Sequence, residues 1–267
     1  MTAIKDVIEF PPHCQLGDID RELVSSWASM QKQIDARENN GFSVRKIVVN
    51  GASLLGQGEK RRPLMVQARV TYSTPEFGEA TYHTNFIPDA STLLVVFRIV
   101  DKEATSSQAI PLEDHYALLV KQARYGMNER LAEEIPGGLV SENGESPKLE
   151  ALRETIEEAV SPENRRLLPE DLSEEAFVLG APIPSHPALT DIQYQFAVNI
   201  DVNRRMFKEI HQAFDGSRAG TQVEKESTIV GVVPLKQAYD YATEHGGGPL
   251  VALTRYMRHA GLIRLAS

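Results

Sequence analysis

The chain is short of cysteine, of long apolar runs and of positive charge, and each shortage excludes something. Cys14 is the only cysteine in 267 residues, so no intrachain disulfide can form and no Cys-rich zinc site can be built. That usage fits a reducing compartment. The longest apolar runs, such as Leu93–Phe97, fall far below the ~18 residues that a membrane helix needs. The opening MTAIKDVIEFPPHCQ carries acids early and has no apolar core, so it does not read as a signal peptide. Lys and Arg number 28 against 37 Asp and Glu, a net charge of −9. A general binder of nucleic acid or of anionic membranes would want a basic face, and this excess of acid argues against both. It leaves room for local basic groups in one pocket. It also favours a bound divalent cation wherever the acids cluster. No internal repeat and no low-complexity tract is visible. These features predict a soluble, cytoplasmic protein.

What is present is ordinary globular material. Hydrophobic residues make 42% and charged residues 24% of the chain, close to the averages of folded domains. The length exceeds a typical domain of ~100–200 residues, which suggests either one large domain or a catalytic domain with a substantial extra segment. Leu16, Ile19, Leu23, Val24, Trp27 and Met30 recur at helical spacing and predict one amphipathic helix over 17–39, with Asp18 as N-cap. Ser43–Asn50, Leu64–Ser73 and Glu79–Ile87 read as antiparallel strands. Pro88-Asp89-Ala90-Ser91 then punctuates the chain, and a boundary is placed there: 1–90 as an N-terminal helix with antiparallel strands, 91–267 as a second domain.

The second segment mixes strands and helices. Thr92–Asp101, His115–Gln122, Ala176–Ile183, Gln193–Ile200 and Thr228–Val233 read as strands, and Glu134–Val140 as a strand running into a glycine turn. Residues 147–160, Arg204–Phe214, Leu235–Thr243 and Pro249–His259 read as helices. Without regular βαβ alternation, the pattern favours an α/β or α+β sandwich on a mixed sheet over a Rossmann fold.

The informative stretch is EIPGGLVSENGESPKLEALRETIEEAVSPE, residues 134–163. Ser146 can cap a helix whose first position, Pro147, suits proline. Pro162 disfavours helix at Ser161 and so ends it. Glu150, Glu154, Glu157 and Glu158 stand at i, i+3 and i, i+4 spacings on one face, where like charges oppose helix formation. Converging carboxylate oxygens are what Mg²⁺ takes when it bridges protein to substrate phosphate. The bland alternative is a solvated acidic face, the fate of most Glu-rich helices. A glycine turn just before the helix and Arg153 among the acids favour the first reading.

These residues resemble the Nudix box, Gly-x5-Glu-x7-Arg-Glu-U-x-Glu-Glu-x-Gly-U with U aliphatic. Glu145, Arg153-Glu154 and Glu157-Glu158 stand in register. Three positions depart: Gly138 lies one residue early, Thr155 replaces an aliphatic, and Val160-Ser161 replaces the final Gly-U. The extra residue falls in a loop, where insertions cost little. Val160 matters most, because the family glycine can take φ > 0 after the helix.

The resemblance extends over roughly 90–260. Leu119–Tyr125 is similar to the strand and Gln-x-Arg segment of the branch that acts on ADP-ribose and nucleotide sugars. Pro184–Asp191 sits where that branch has a Ser/Thr-Asp-Glu loop, with Ile192 in place of the Glu. Val232–Ala238 and Ala252-Leu253 resemble its C-terminal end.

This resemblance implies a Nudix-like α/β/α sandwich and Mg²⁺-dependent hydrolysis of the diphosphate bond of ADP-ribose or a nucleotide sugar. The products would be a nucleoside monophosphate and a sugar phosphate, and Mn²⁺ is the other ion such a site accepts. It implies Glu154 and Glu158 as main metal ligands, Glu157 as a third ligand or water-orienting group, and a Gly138 carbonyl contribution. It further implies Arg153 holding the loop through Glu145, with direct phosphate contact as the alternative, and Gln122, Arg124, Gly138 and Asp191 near the substrate. A general base is sought on a later loop, at Glu226 or Glu224; ordinary loop charge is the alternative there, and a surface ion pair for Arg124. His186 is kept out of the metal set. Tyr116, Tyr125 and Phe86 can stack on a base, though sheet packing is the commoner use of such residues. The N-terminal strands correspond to a small sheet that many such enzymes use to form homodimers. The competing reading is a catalytically weak domain that binds a nucleotide sugar and regulates a partner.

Overall fold

A computed structural model of the chain describes residues 2–58, 61–76, 78–100, 110–122, 132–140, 146–184, 191–219, 228–245 and 247–263. These fall into two compact units: Met1–Asp89 with Ile183–Ile192, and Ala90–Val140 with Glu145–Pro182 and Gln193–Ser267.

The first unit begins with helix α1 (Ile4–Val7), strand β1 (Ile8–Glu9) and helices α2 (Asp18–Ser25) and α3 (Ala28–Asn39). Long antiparallel strands follow: β2 (Ser43–Leu55), β3 (Arg62–Thr74) and β4 (Gly78–Phe86), in the order β1-β2-β3-β4. Alternate residues Val66, Ala68, Val70 and Tyr72 of β3 are buried, the signature of a strand with one wet face. They join Ile47 and Val49 of β2, Phe86 of β4, and Val24, Trp27, Met30 and Ile34 from the helices in one core. Phe86 is therefore a packing residue.

The single helix predicted over 17–39 is corrected to two. Trp27 adopts an extended conformation, φ −68 and ψ 113, as the N-cap of α3. The Ser25 hydroxyl bonds the Arg21 carbonyl and the Ser26 hydroxyl that of Glu22. Such back-bonding competes with helix continuation. The cap of α2 is Gly17, and Asp18 lies inside the first turn, where its charge favours the N-terminus.

The second unit contains β5 (Ala90–Ile99), β6 (His115–Gln122), β7 (Ala132–Glu134), β8 (Gly137–Leu139), α4 (Pro147–Ala159), α5 (Leu172–Glu175) and β9 (Phe177–Val178). After the two-residue strand β10 (Ile183–Pro184) come β11 (Ile192–Val202), α6 (Arg204–Phe214), β12 (Arg218–Ala219), β13 (Thr228–Pro234), α7 (Leu235–His245) and α8 (Gly247–His259). Its sheet runs β11-β5-β6-β13-β12. β5 and β11 are parallel and β6 is antiparallel to its neighbours, so the sheet is mixed.

Side chains of β5 and β6 alternate between two cores. Leu93, Val95, Phe97, Leu118 and Val120 pack with α4, α5 and α6. Leu94, Val96, Ala117 and Leu119 pack with α7 and α8. Helices thus cover both faces, an α/β/α sandwich, which is why these strands read as unbroken apolar runs. Tyr116 packs its ring 4.2 Å from that of Phe207. Two strand predictions need correction. Glu134–Val140 is two short strands, β7 on β6 and β8 on β5. Ala176–Ile183 is interrupted at Gly180, whose φ is 113. Among the described residues no helix is long and apolar enough to cross a membrane.

Candidate functional site

The site is built on α4. The Ser146 hydroxyl accepts a hydrogen bond from the Leu149 N–H at 3.3 Å, and Pro147 occupies the first turn, where its missing N–H costs nothing. Ala151, Thr155 and Ala159 form the buried stripe that seats the helix on the sheet. Val160 leaves the helix at φ −125 and ψ 109, extended backbone that valine adopts freely. The exit therefore needs no glycine.

This seating turns the acids inward to different depths. Glu150 is 3% exposed and Glu158 6%, whereas the Glu154 side chain is 15% and that of Glu157 34% exposed. A solvated acidic ridge would not bury two of its four members.

Both oxygens of Glu158 are claimed. The Gln122 amide donates to Oε1 at 2.9 Å and the Gly137 N–H donates to Oε2 at 3.0 Å. The Thr228 hydroxyl donates to the Glu158 carbonyl. Strands β6, β8 and β13 thereby fix this residue. Gln122, expected at the substrate, is buried and spends its amide on positioning a carboxylate.

Glu154 lies against β8. A Cβ added to Gly138 would stand 2.5 Å from the Glu154 Cδ, so only glycine lets the carboxyl lie flush on the strand. Burial, then the charges of Glu158, Glu157 and Glu150, push its pKa from 4.5 up to about 7, against an opposing pull from Arg153.

Arg153 supplies the positive charge in the cluster. Its Nη2 meets Glu150 Oε1 and Glu154 Oε1, and its Nη1 meets Glu157 Oε2 at 2.6 Å. Hydrogen bonds to Glu150 and Glu157 hold its proton even more firmly than usual. Glu150 went unassigned in the sequence. The signal that could have found it was the i, i+3 spacing to Arg153, between the apolar neighbours Ala151 and Leu152. Its second oxygen, Oε2, is enclosed and, among the described residues, has no hydrogen-bond partner.

The remaining expected residues divide in two. Asp191 is 3% exposed and belongs to the first unit. Glu145, Glu226, Glu224, Arg124, Tyr125 and His186 lie outside the described residues.

As donors for Mg²⁺ the acids of α4 fit in kind, being hard oxygens. A buried cluster of like charges is also what a dication would relieve. Among the described residues, however, no group of three or more His, Cys, Asp or Glu side chains is arranged to hold an ion. The counter-charge here is Arg153. No protein-family model matches the chain, and no curated protein matches it.

Proposed function

We propose that this chain is a Mg²⁺-dependent diphosphatase acting on ADP-ribose or a nucleotide sugar. Water would attack one phosphorus, the bridging P–O bond would break, and a nucleoside monophosphate and a sugar phosphate would leave. One observation carries the reading. Three carboxylates of one helix turn are held together, and one of them is desolvated enough to keep its proton up to about pH 7. Folding does not assemble such a like-charged cluster for stability, and perturbed carboxylates of this kind gather at functional sites. The spacing that resembles the Nudix box names the chemistry.

Glu154, Glu157 and Glu158 would hold the ion. When bound, Mg²⁺ would neutralise phosphate oxygens and lower the pKa of a water. The residues of the chain do the rest. Gln122 and Gly137 fix both oxygens of Glu158 before any substrate arrives. Preorganisation of that kind spares reorganisation during the reaction. Gly138 lets Glu154 lie flat on β8. Glu157, the most exposed of the three, would orient the attacking water.

The test is a panel of ADP-ribose and nucleotide sugars assayed with and without Mg²⁺. Glu154→Gln and Glu158→Gln should each lose at least about 100-fold in turnover, the scale of one preorganised electrostatic contact. Unchanged turnover in both would reject the assigned roles.

A second reading has its own observation. Arg153 already neutralises the cluster, and no three-acid ion set is found among the described residues. That arrangement suits a domain that binds a nucleotide sugar without cleaving it. Saturable binding of a nucleotide sugar without Mg²⁺-dependent turnover would select it.

A further inference from the structure

We propose that the cavity between β7 and α7 is a binding site for a primary amine in its ammonium form. The inference goes beyond the diphosphatase reading and uses no residue of α4, so each can fail alone.

The cavity measures ≈ 590 Å³, within the range of small-molecule sites. Strand register puts it on the α7 side of the sheet. Glu133 of β7 stands opposite Lys121 of β6, and Lys121 continues the alternation of Ala117 and Leu119, which pack with α7 and α8. Helix α7 supplies the other wall. Its Leu235, Ala238 and Ala242 join the core, while Lys236, Asp240, Tyr241 and Glu244 line the cavity.

Three features select the ligand. The first is charge. The Lys121 ammonium meets Glu133 Oε1 at 2.6 Å and the Lys236 ammonium meets Asp240 Oδ2 at 2.6 Å, so two of the acids are offset. Glu244 has no ion pair among the described residues and lies in the last turn of α7, where the helix dipole also favours a cation. The second is an acceptor without a donor. The Glu133 side chain is 12% exposed, and its Oε2 is enclosed with no hydrogen-bond partner among the described residues. Leaving such an oxygen unmet costs stability, and a ligand N–H removes that cost. The third is an aromatic ring beside it. The Tyr241 hydroxyl accepts from the Glu133 N–H at 3.3 Å, and the ring stacks on that of His245 at 4.1 Å, which holds it next to the carboxylate. An ammonium answers all three with positive charge, N–H donors and attraction to a ring. A bare metal ion does not fit, because among the described residues no group of three or more His, Cys, Asp or Glu side chains is arranged to hold one.

The probe is butylammonium chloride, compared with butyltrimethylammonium chloride, which has the same charge and stem but no N–H. The readout is the melting temperature of the full chain at neutral pH and constant ionic strength, which a ligand bound only by the folded state raises. Butylammonium should raise it with saturation, and the trimethyl analogue should need at least about tenfold more, the scale of a charge-assisted hydrogen bond. Equal half-saturation for the two means that no N–H is received and overturns the proposal. So does the lack of a saturable rise by about 0.1 M, where salt already screens loose ion pairing. Glu133→Gln, whose NH₂ cannot accept, should raise half-saturation for butylammonium at least about tenfold, and Tyr241→Leu by about two- to fivefold. Unchanged half-saturation in Glu133→Gln also overturns it. Glu154→Gln should leave half-saturation in place; a shift there instead puts the amine among the acids of α4 and rejects the assignment. Where Glu133→Gln does not fold, the comparison of the two ammonium ions on wild type still decides.

Discussion

Two acids, one in each unit, the first buried and the second half-buried, are treated in opposite ways. Asp89 is 6% exposed, and both of its oxygens are satisfied: the Lys32 ammonium donates to Oδ2 and the Ile192 N–H to Oδ1 at 3.0 Å. Glu154 lies among three other carboxylates, shares its cation with two of them, and is pushed up to about pH 7. A buried charge that serves only the fold is paired and hydrogen-bonded, because leaving it otherwise costs stability. The acids of α4 are held in conflict with their own fold, which is how groups at functional sites commonly differ from structural ones.

The largest effects should come from neutralising each acid in turn. Asp89→Asn turns an acceptor toward the Lys32 ammonium into a donor, and it should lower stability by about 2–3 kcal/mol in urea unfolding. Glu154→Gln should do the reverse. In EDTA at pH 8 it relieves desolvation and repulsion and should raise stability by about 2 kcal/mol, and in a separate assay with Mg²⁺ it should lose at least about 100-fold in turnover. The pH dependence has a definite sign. The unfolded chain releases this proton near 4.5, whereas the folded chain holds it to about 7. Between those values the folded state carries more protons, so wild-type stability falls as pH rises through the window and is level above it. The difference between Glu154→Gln and wild type should therefore vanish below pH 4.5 and be complete above about 7. A difference that is constant over pH 4–8 would place Glu154 with Asp89 as an ordinary structural acid.

The adjacent glycines sharpen the comparison at a smaller scale. A Cβ on Gly137 would stand 2.3 Å from the Ser91 carbonyl oxygen, a main-chain atom of the neighbouring strand. Gly137→Ala must spread β8 from β5 and should cost about 2 kcal/mol, as overpacking does. A Cβ on Gly138 meets only the far end of the Glu154 side chain. Gly138→Ala should change the melting temperature little and still cut turnover at least about tenfold by lifting the carboxyl off the strand. Equal losses of stability in the two variants would show that Glu154 is not held by this contact.

The difference between the units also explains what was legible in the sequence. Strand β3 buries one face, and its alternation announces it; β5 and β6 bury both faces and show instead as apolar runs. Helix α6 begins where Asn203 can cap it, and the Asn203 side chain accepts from the Met206 N–H. The break at Trp27 was hidden, because apolar residues keep helical spacing straight through it. Asp89 read as turn punctuation, since nothing local reveals that Lys32 and Ile192 reach it from 57 and 103 residues away. At the site, spacing alone placed Glu154, Glu157 and Glu158 on one face. Their depths, the capture of Gln122 by Glu158 and the burial of Glu150 depend on how α4 rotates onto the sheet. That rotation is a property of packing and is not written in any single stretch.

The smallest effect is expected on the face of α4 that carries no chemistry. Thr155 departs from the aliphatic residue of the pattern, is fully buried, and donates its hydroxyl to the Ala151 carbonyl at 2.7 Å. That carbonyl keeps its helical N–H partner whatever the side chain. Thr155→Val removes a back-bonded hydroxyl and adds a methyl to an apolar stripe, two changes of opposite sign. Stability should move by less than about 1 kcal/mol, and turnover should not move at all. A loss of turnover in Thr155→Val with unchanged melting would mean that conflict in α4 is not confined to its acidic face. The contrast between a satisfied core and a strained site would then have to be redrawn through the middle of this helix.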